Sequence, residues 1–154
     1  MKEFTVSLIF CHDLSKVLLI KKTHPAKQAG KLNGIGGSFE DGEDTNHKVA
    51  AMREVTEECA LKANDFSGFY EIGGIMRPKA FISFWTGVAV EGTSPQSKTK
   101  EKVDWYDVKK LDDEPLLGDL DATIKFAVTE LTKLKYKKIP EPGQINLEYL
   151  YDLL

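Results

Sequence analysis

The segment "GGSFEDGEDTNHKVAAMREVTEECAL", residues 36–61, sets Glu40, Asp41, Glu43, Asp44, Glu54, Glu57 and Glu58 around a glycine turn and one arginine. Its second half predicts a helix with Asp44 or Thr45 as N-cap, running to about Leu61. At about 100° per residue, Met52, Val55 and Cys59 fall on one arc with Val49 at its edge, and Glu54, Glu57 and Glu58 fall on the opposite side. An acidic, solvated outer face is a common reason for such a pattern. Two penalties make it a poor one here. Carboxylates at i, i+3 and i+4 are close neighbours of like charge, and the macrodipole disfavours anions near a helix C-terminus, where Glu57 and Glu58 lie. A hard divalent cation relieves both, since Mg²⁺ takes oxygen ligands and keeps waters and phosphates in its shell.

Glycines precede the helix. Gly34, Gly36 and Gly37 allow positive φ and close backbone approach to a ligand, although "GIGG" also suits an ordinary turn. An EF-hand is excluded, because "EDGEDTNHK" lacks the alternating acidic ligands and the central glycine at the required offsets.

The flanking sequence supplies the rest of a domain. "FTVSLIF" (4–10) and "KVLLIKK" (16–22) read as strands of a hairpin joined by the polar "HDLS". Residues 23–37 read as loop. "FSGFYEIGGI", "KAFISFWTGVAV" and the shorter "KVDWYDV" follow as strands. Leu120, Ile124, Ala127, Val128, Leu131 and Leu134 recur at helical spacing between Asp119 and Lys135. Strands mixed with two helices predict an α/β (α+β) sandwich with a mixed sheet covered by helices. At 154 residues, the chain fits one domain, 1–154, with a core of useful size. Its net charge of −3 argues against bulk electrostatic binding to nucleic acid or an anionic membrane. Cys11 and Cys59 match no metal or redox spacing and read as two buried thiols among apolar neighbours in a reducing compartment. "MKEFTVSLIF" is too short and too interrupted for a signal peptide or a membrane span, so a cytoplasmic protein is expected.

The acidic segment resembles the Nudix box of the Nudix hydrolases, G-x5-E-x7-R-E-U-x-E-E-x-G-U with U aliphatic. The matching positions are Gly37, Glu43, Arg53, Glu54, Val55, Glu57, Glu58 and Leu61, preceded by Gly36. Two departures stand out. The gap from Glu43 to Arg53 is two residues longer than the pattern, an excess that fits within "EDTNH", and Ala60 replaces the glycine near the helix end. Alanine resists left-handed φ, so a different helix exit is expected. The order of elements around the box is also that of a Nudix domain, which implies an α/β/α sandwich over most of the chain.

The resemblance implies Mg²⁺-dependent cleavage, or Mn²⁺ in its place, of a nucleoside diphosphate linked to another group. Glu54 and Glu58 are the implied principal metal ligands, Glu57 shares that role or serves as base, and the Gly36 carbonyl is a further candidate. Arg53 is expected to orient the carboxylates. Glu101 matches the region where relatives supply another acidic ligand or base, and a solvated loop charge in "KTKEK" is the alternative. Around the glycine turn, "GKLNGIGGSFEDGE" resembles the MutT-type branch, which acts on oxidised or unwanted nucleoside triphosphates. Asn33 then contacts the base or is a turn residue before glycine. Gly37 approaches the substrate, and Asp119 reaches a base edge or caps the last helix. Leu32 and Ser38 depart from the tryptophan and lysine common in that branch, and Lys21, Lys22, Lys27 and Lys31 are phosphate contacts or surface charges. The expected partner is a nucleotide substrate, with no stable nucleic-acid binding and a monomer or homodimer. Hydrolysis of ADP-ribose or a dinucleoside polyphosphate is the second reading, although "MRPKAF" around Pro78 lacks the surroundings it calls for. The third is a ligand-binding module without turnover.

Overall fold

Strands β1 (Lys2–Phe10) and β2 (Lys16–Lys21) are buried along most of their lengths, and successive side chains of a strand point to opposite faces. Leu8, Phe10, Val17 and Leu19 accordingly enter one core cluster, and Ile9, Leu18 and Ile20 enter another. A sheet apolar on both faces needs a layer on each. The computed structural model, which describes residues 1–136, supplies them as two helices. Expectations about the sequence beyond it, including "INLEYLYDLL", lie outside the described residues.

The helix α1 (His47–Cys59) places Val55 and Cys59 on the Ile9 face, and α2 (Leu120–Tyr136) places Leu120, Ile124, Ala127 and Leu131 on the Leu8 face. Full burial of each large aliphatic contributes roughly 1.5–3 kcal/mol. The sheet between them is seven-stranded and mixed. It is completed by β3 (Leu32–Asn33), β4 (Ile35–Ser38), β5 (Phe66–Arg77), β6 (Ala80–Ala89) and β7 (Val103–Asp107). Strand β1 runs parallel to β6 over Lys2–Phe10 and antiparallel to β2 at Ile9–Phe10 and to β4 at Phe4–Ser7. The splayed middle strand thus holds the hairpin at one end and the glycine strand at the other. The expected turn between β1 and β2 is present, with the Asp13 carboxylate accepting from the Ser15 N–H at 3.0 Å and the Ser15 hydroxyl at 2.6 Å. Among the described residues no helix is long and apolar enough to cross a membrane.

Three local expectations are corrected. The stretch 23–37 is not all loop: Leu32–Asn33 pairs with β2, and Ile35–Ser38 pairs with β1. Sheet pairing overrides the turn propensity of its glycines because Leu32 and Ile35 are buried. Helix α1 starts later than predicted, with Asn46 as N-cap accepting the Val49 N–H at 3.0 Å, because Asp44 is engaged elsewhere. At the other end Ala60 does take the left-handed conformation, φ 63°. Its N–H reaches the Thr56 carbonyl at 3.0 Å, the Thr56 hydroxyl donates to the Leu61 carbonyl at 2.6 Å, and Leu61 is buried. These contacts offset a conformational cost of about 1–2 kcal/mol.

Candidate active site

The glycine strand and the carboxylate helix meet without space between them. In the β1–β4 pairing Gly36 lies opposite Val6 and Gly37 opposite Thr5. A Cβ on Gly36 would overlap the Thr5 carbonyl oxygen, and one on Gly37 would overlap the Glu54 carboxylate. Glycine is needed here for close approach, so the main chain of β4 becomes one wall of a carboxylate-lined cleft.

The acidic face of α1 is not the solvated face that its helical arc suggests. Glu54 is buried, Glu58 is half-buried and Glu57 alone is exposed. The difference arises because the backbone of β4 packs against that side of the helix. Glu58 accepts a hydrogen bond from the Gly36 N–H, yet burial, followed by the charge of Glu54, pushes its carboxyl up to about 8. Its Oε2 is buried and has no hydrogen-bond partner among the described residues. Burial likewise raises Glu54 against the opposing pull of Arg53.

Arg53 organises the other side of the cleft. Its Nε and Nη2 donate to Asp44 at 2.9 and 2.8 Å, Nη2 also donates to the Ser38 carbonyl at 2.9 Å, and Nη1 donates to Glu54 at 3.2 Å and Glu57 at 3.1 Å. The hydrogen bond from Arg53 is the main reason that Asp44 is held below the ordinary carboxylate range. Glu43, the box position matched from sequence, is exposed and lies 3.9 Å from Arg53 Nε. Asp44 was thus missed as a site residue. The signal was present as a second acid immediately after Glu43, next to the longer gap.

Glu101 is not a solvated loop charge: it is 6% exposed. It accepts from Lys22 Nζ at 2.9 Å and the Thr23 N–H at 2.6 Å. Burial works to raise its carboxyl, but the Thr23 N–H and the Lys22 ammonium together hold it below the ordinary range. The charges of both Glu101 and Lys22 are felt at Glu58, so the loop before β7 lies within electrostatic range of the helix carboxylates. Of the four lysines named above, Lys22 is the one placed against these acids.

Asn33 and Asp119 belong to a separate corner. The Asn33 side-chain oxygen accepts the Gly34 N–H at 2.8 Å, the local bond of a turn-type asparagine. The neighbouring Leu32 exchanges backbone hydrogen bonds with Pro115 and Leu117 at 2.9 Å each, which brings the start of α2 to this edge. Asp119 is exposed and directly precedes α2, its carbonyl accepting the Thr123 N–H at 3.2 Å. No described contact joins either residue to the carboxylates of α1.

The donor set is oxygen-only and anionic, with a buried, unpartnered Glu58 oxygen, and it fits a hard divalent cation. Among the described residues no three His, Cys, Asp or Glu side chains already converge as a metal cage. The ion pairs of Arg53 engage one oxygen each of Glu54 and Glu57.

The fold recurs in known proteins. The family model for the NUDIX domain matches residues 1–125. A MutT structure from work on Aliivibrio salmonicida and Vibrio cholerae is 19% identical, covers 84% of this chain and 98% of its own, and has a TM-score of 0.68. The NUDIX domain of Shewanella oneidensis NrtR, solved with ADP ribose, is 18% identical over 84% of this chain and 87% of its own, with a TM-score of 0.71. A C. elegans Ap4A hydrolase in a binary complex is 13% identical over 86% and 99%, with a TM-score of 0.67. No curated protein matches by sequence. Identities this low speak for the fold alone, but the family model spans most of the chain and includes the whole carboxylate helix. The chain therefore belongs to the NUDIX family.

Proposed function

We propose that the protein is a Mg²⁺-dependent pyrophosphohydrolase that cleaves a nucleoside triphosphate, ordinary or oxidised, into the monophosphate and pyrophosphate. Hydrolysis of phosphoric anhydride bonds follows from the family and is in keeping with the hydrolases among the structural neighbours. The observation that carries the proposal is the buried, unpartnered oxygen of Glu58 beside Glu54, against the backbone of Gly36. Glu54 and Glu58 would hold the cation, with the Gly36 carbonyl and Glu57 completing the set and Glu101 contributing from the loop before β7. A bound divalent ion neutralises phosphate charge and lowers the pKa of water.

The chain's own groups supply orientation and proton transfer. Arg53 fixes Glu54 and Glu57 relative to Ser38 and thereby ties the helix carboxylates to β4. Water adds one oxygen to phosphorus, the bridging P–O bond breaks, and the proton lost by water passes to a carboxylate of the cleft, Glu57 or Glu101. Gly37 lets the main chain of β4 lie directly against the Glu54 carboxylate, which would place backbone groups beside the phosphate chain. The corner containing Asn33 and Asp119 would face the nucleoside.

The test is product analysis with Mg²⁺ across ordinary and oxidised nucleoside triphosphates, ADP-ribose and dinucleoside polyphosphates. Monophosphate plus pyrophosphate is the expected outcome. Two monophosphates from ADP-ribose, or mixed products from a dinucleoside polyphosphate, would replace the triphosphate assignment. Absence of turnover with a ligand-induced rise in melting temperature would make the domain a binding module.

A further inference from the structure

Arg53 is gripped by the acid that follows the box glutamate in sequence. Asp44, its side chain fully buried, accepts Arg53 Nε on one oxygen and Arg53 Nη2 on the other. This is the two-point geometry in which a guanidinium binds a carboxylate most strongly. The second oxygen also accepts the Glu40 N–H at 2.8 Å, while the Glu40 carbonyl accepts the Asp44 N–H at 2.9 Å. The acid is therefore locked to the loop that leaves β4 at the same time as it grips the helix. Glu43 shares only the backbone part, its N–H donating to the Glu40 carbonyl at 3.2 Å: its side chain is 69% exposed and its nearest approach to Arg53 is 3.9 Å.

We infer that Asp44 is the positioning residue of this active site and that Glu43 is dispensable to it. Asp44 acts through Arg53. By holding Nε and one Nη, it leaves only the other Nη to share between Glu54 and Glu57, which limits how far the guanidinium competes with a cation for those carboxylates. Without Asp44, the guanidinium turns to its two remaining acids and blocks them.

The metal part of this inference rests on the hydrolase reading above, whereas the Arg53 geometry stands apart from it. The test therefore has two readouts on the full-length protein. In the first, the Arg53 Nε–H resonance is followed by ¹⁵N NMR without metal. It should stay protected from exchange in the wild type and in Glu43→Gln, and lose protection in Asp44→Asn. In the second, Mn²⁺ is titrated by EPR. Asp44→Asn should weaken binding tenfold or more, and Glu43→Gln should remain within twofold of the wild type. Adding Asp44→Asn to Arg53→Gln should cause no further loss of affinity. A protected Nε–H in Asp44→Asn, or a tenfold loss of Mn²⁺ affinity in Glu43→Gln, overturns the inference. Should Asp44→Asn fail to fold, Glu43→Gln decides the matter, because an anchoring Glu43 requires it to lose both the resonance and the affinity. A wild type that binds no Mn²⁺ refutes the hydrolase reading, and the Nε–H comparison still judges the anchor.

Discussion

Replacing Glu58 by glutamine should abolish turnover and, in the absence of metal, make the protein more stable at neutral and alkaline pH. The Glu58 carboxyl is pushed up from 4.5 to about 8, first by burial and then by the charge of Glu54. A carboxyl raised by folding favours the folded state fully below its unfolded value and loses that advantage as pH rises through the folded one. Between about pH 4.5 and 8 the unfolded chain ionises Glu58 and the folded chain does not. Each pH unit of that window is worth about 1.4 kcal/mol, so at pH 7 the wild type forgoes roughly 3 kcal/mol relative to a side chain that cannot ionise. Solvent reaching the partly exposed side chain reduces this to about 1.5–2 kcal/mol. Glutamine keeps the acceptor for the Gly36 N–H and removes the titration. For a domain of this size the gain corresponds to roughly 3–8 °C in Tm. Thermal melts in EDTA at pH 5, 7 and 8.5 check it, with the difference from wild type near zero at pH 5 and growing upward. A difference that is independent of pH, or a destabilised variant at pH 8.5, refutes the electrostatic account of the cleft. Near-normal Mg²⁺-dependent rates in the variant refute its place in the chemistry.

Other perturbations probe the neighbouring geometry. Gly37→Ala forces a methyl group into the Glu54 carboxylate, so kcat should fall by about a hundredfold or more, the order seen when catalytic groups are misplaced by an ångström, while circular dichroism stays unchanged. Ala60→Gly relieves the left-handed φ of 63° and should stabilise the protein by about 1 kcal/mol in urea unfolding; a destabilised variant would show that the helix exit is not strained. Of the two cysteines expected to be buried, Cys11 is only partly so, because its sulfur lies in the polar turn beside Asp13 and Ser15, whereas Cys59 is fully buried, its thiol pushed up to about 12 chiefly by burial. In native protein at pH 7.5 a maleimide should therefore label Cys11 and spare Cys59, as read by mass spectrometry of peptides, and rapid labelling of Cys59 would contradict its burial.

The apolar runs at residues 8–10 and 17–20 and the helical spacing from Leu120 to Leu131 were enough to specify a sheet covered by helices on both faces. Period and burial are local properties of the chain, and a strand apolar on both sides has few places to go. The carboxylate spacing of Glu54, Glu57 and Glu58 was equally plain, because residues three and four apart on a helix are neighbours wherever the helix packs. Folding in three dimensions assigned the partners. Gly37 reads as a turn or a ligand-approach glycine until β4 lies against Glu54, Glu101 reads as an acidic ligand or a loop charge until Lys22 and Thr23 enclose it, and Asp44 reads as a helix cap until Arg53 reaches it. In each case the deciding contact joins residues far apart in sequence or across a loop of irregular length. A pattern of spacings carries no information about such contacts, since side-chain reach and burial, rather than order along the chain, determine which acid meets which base.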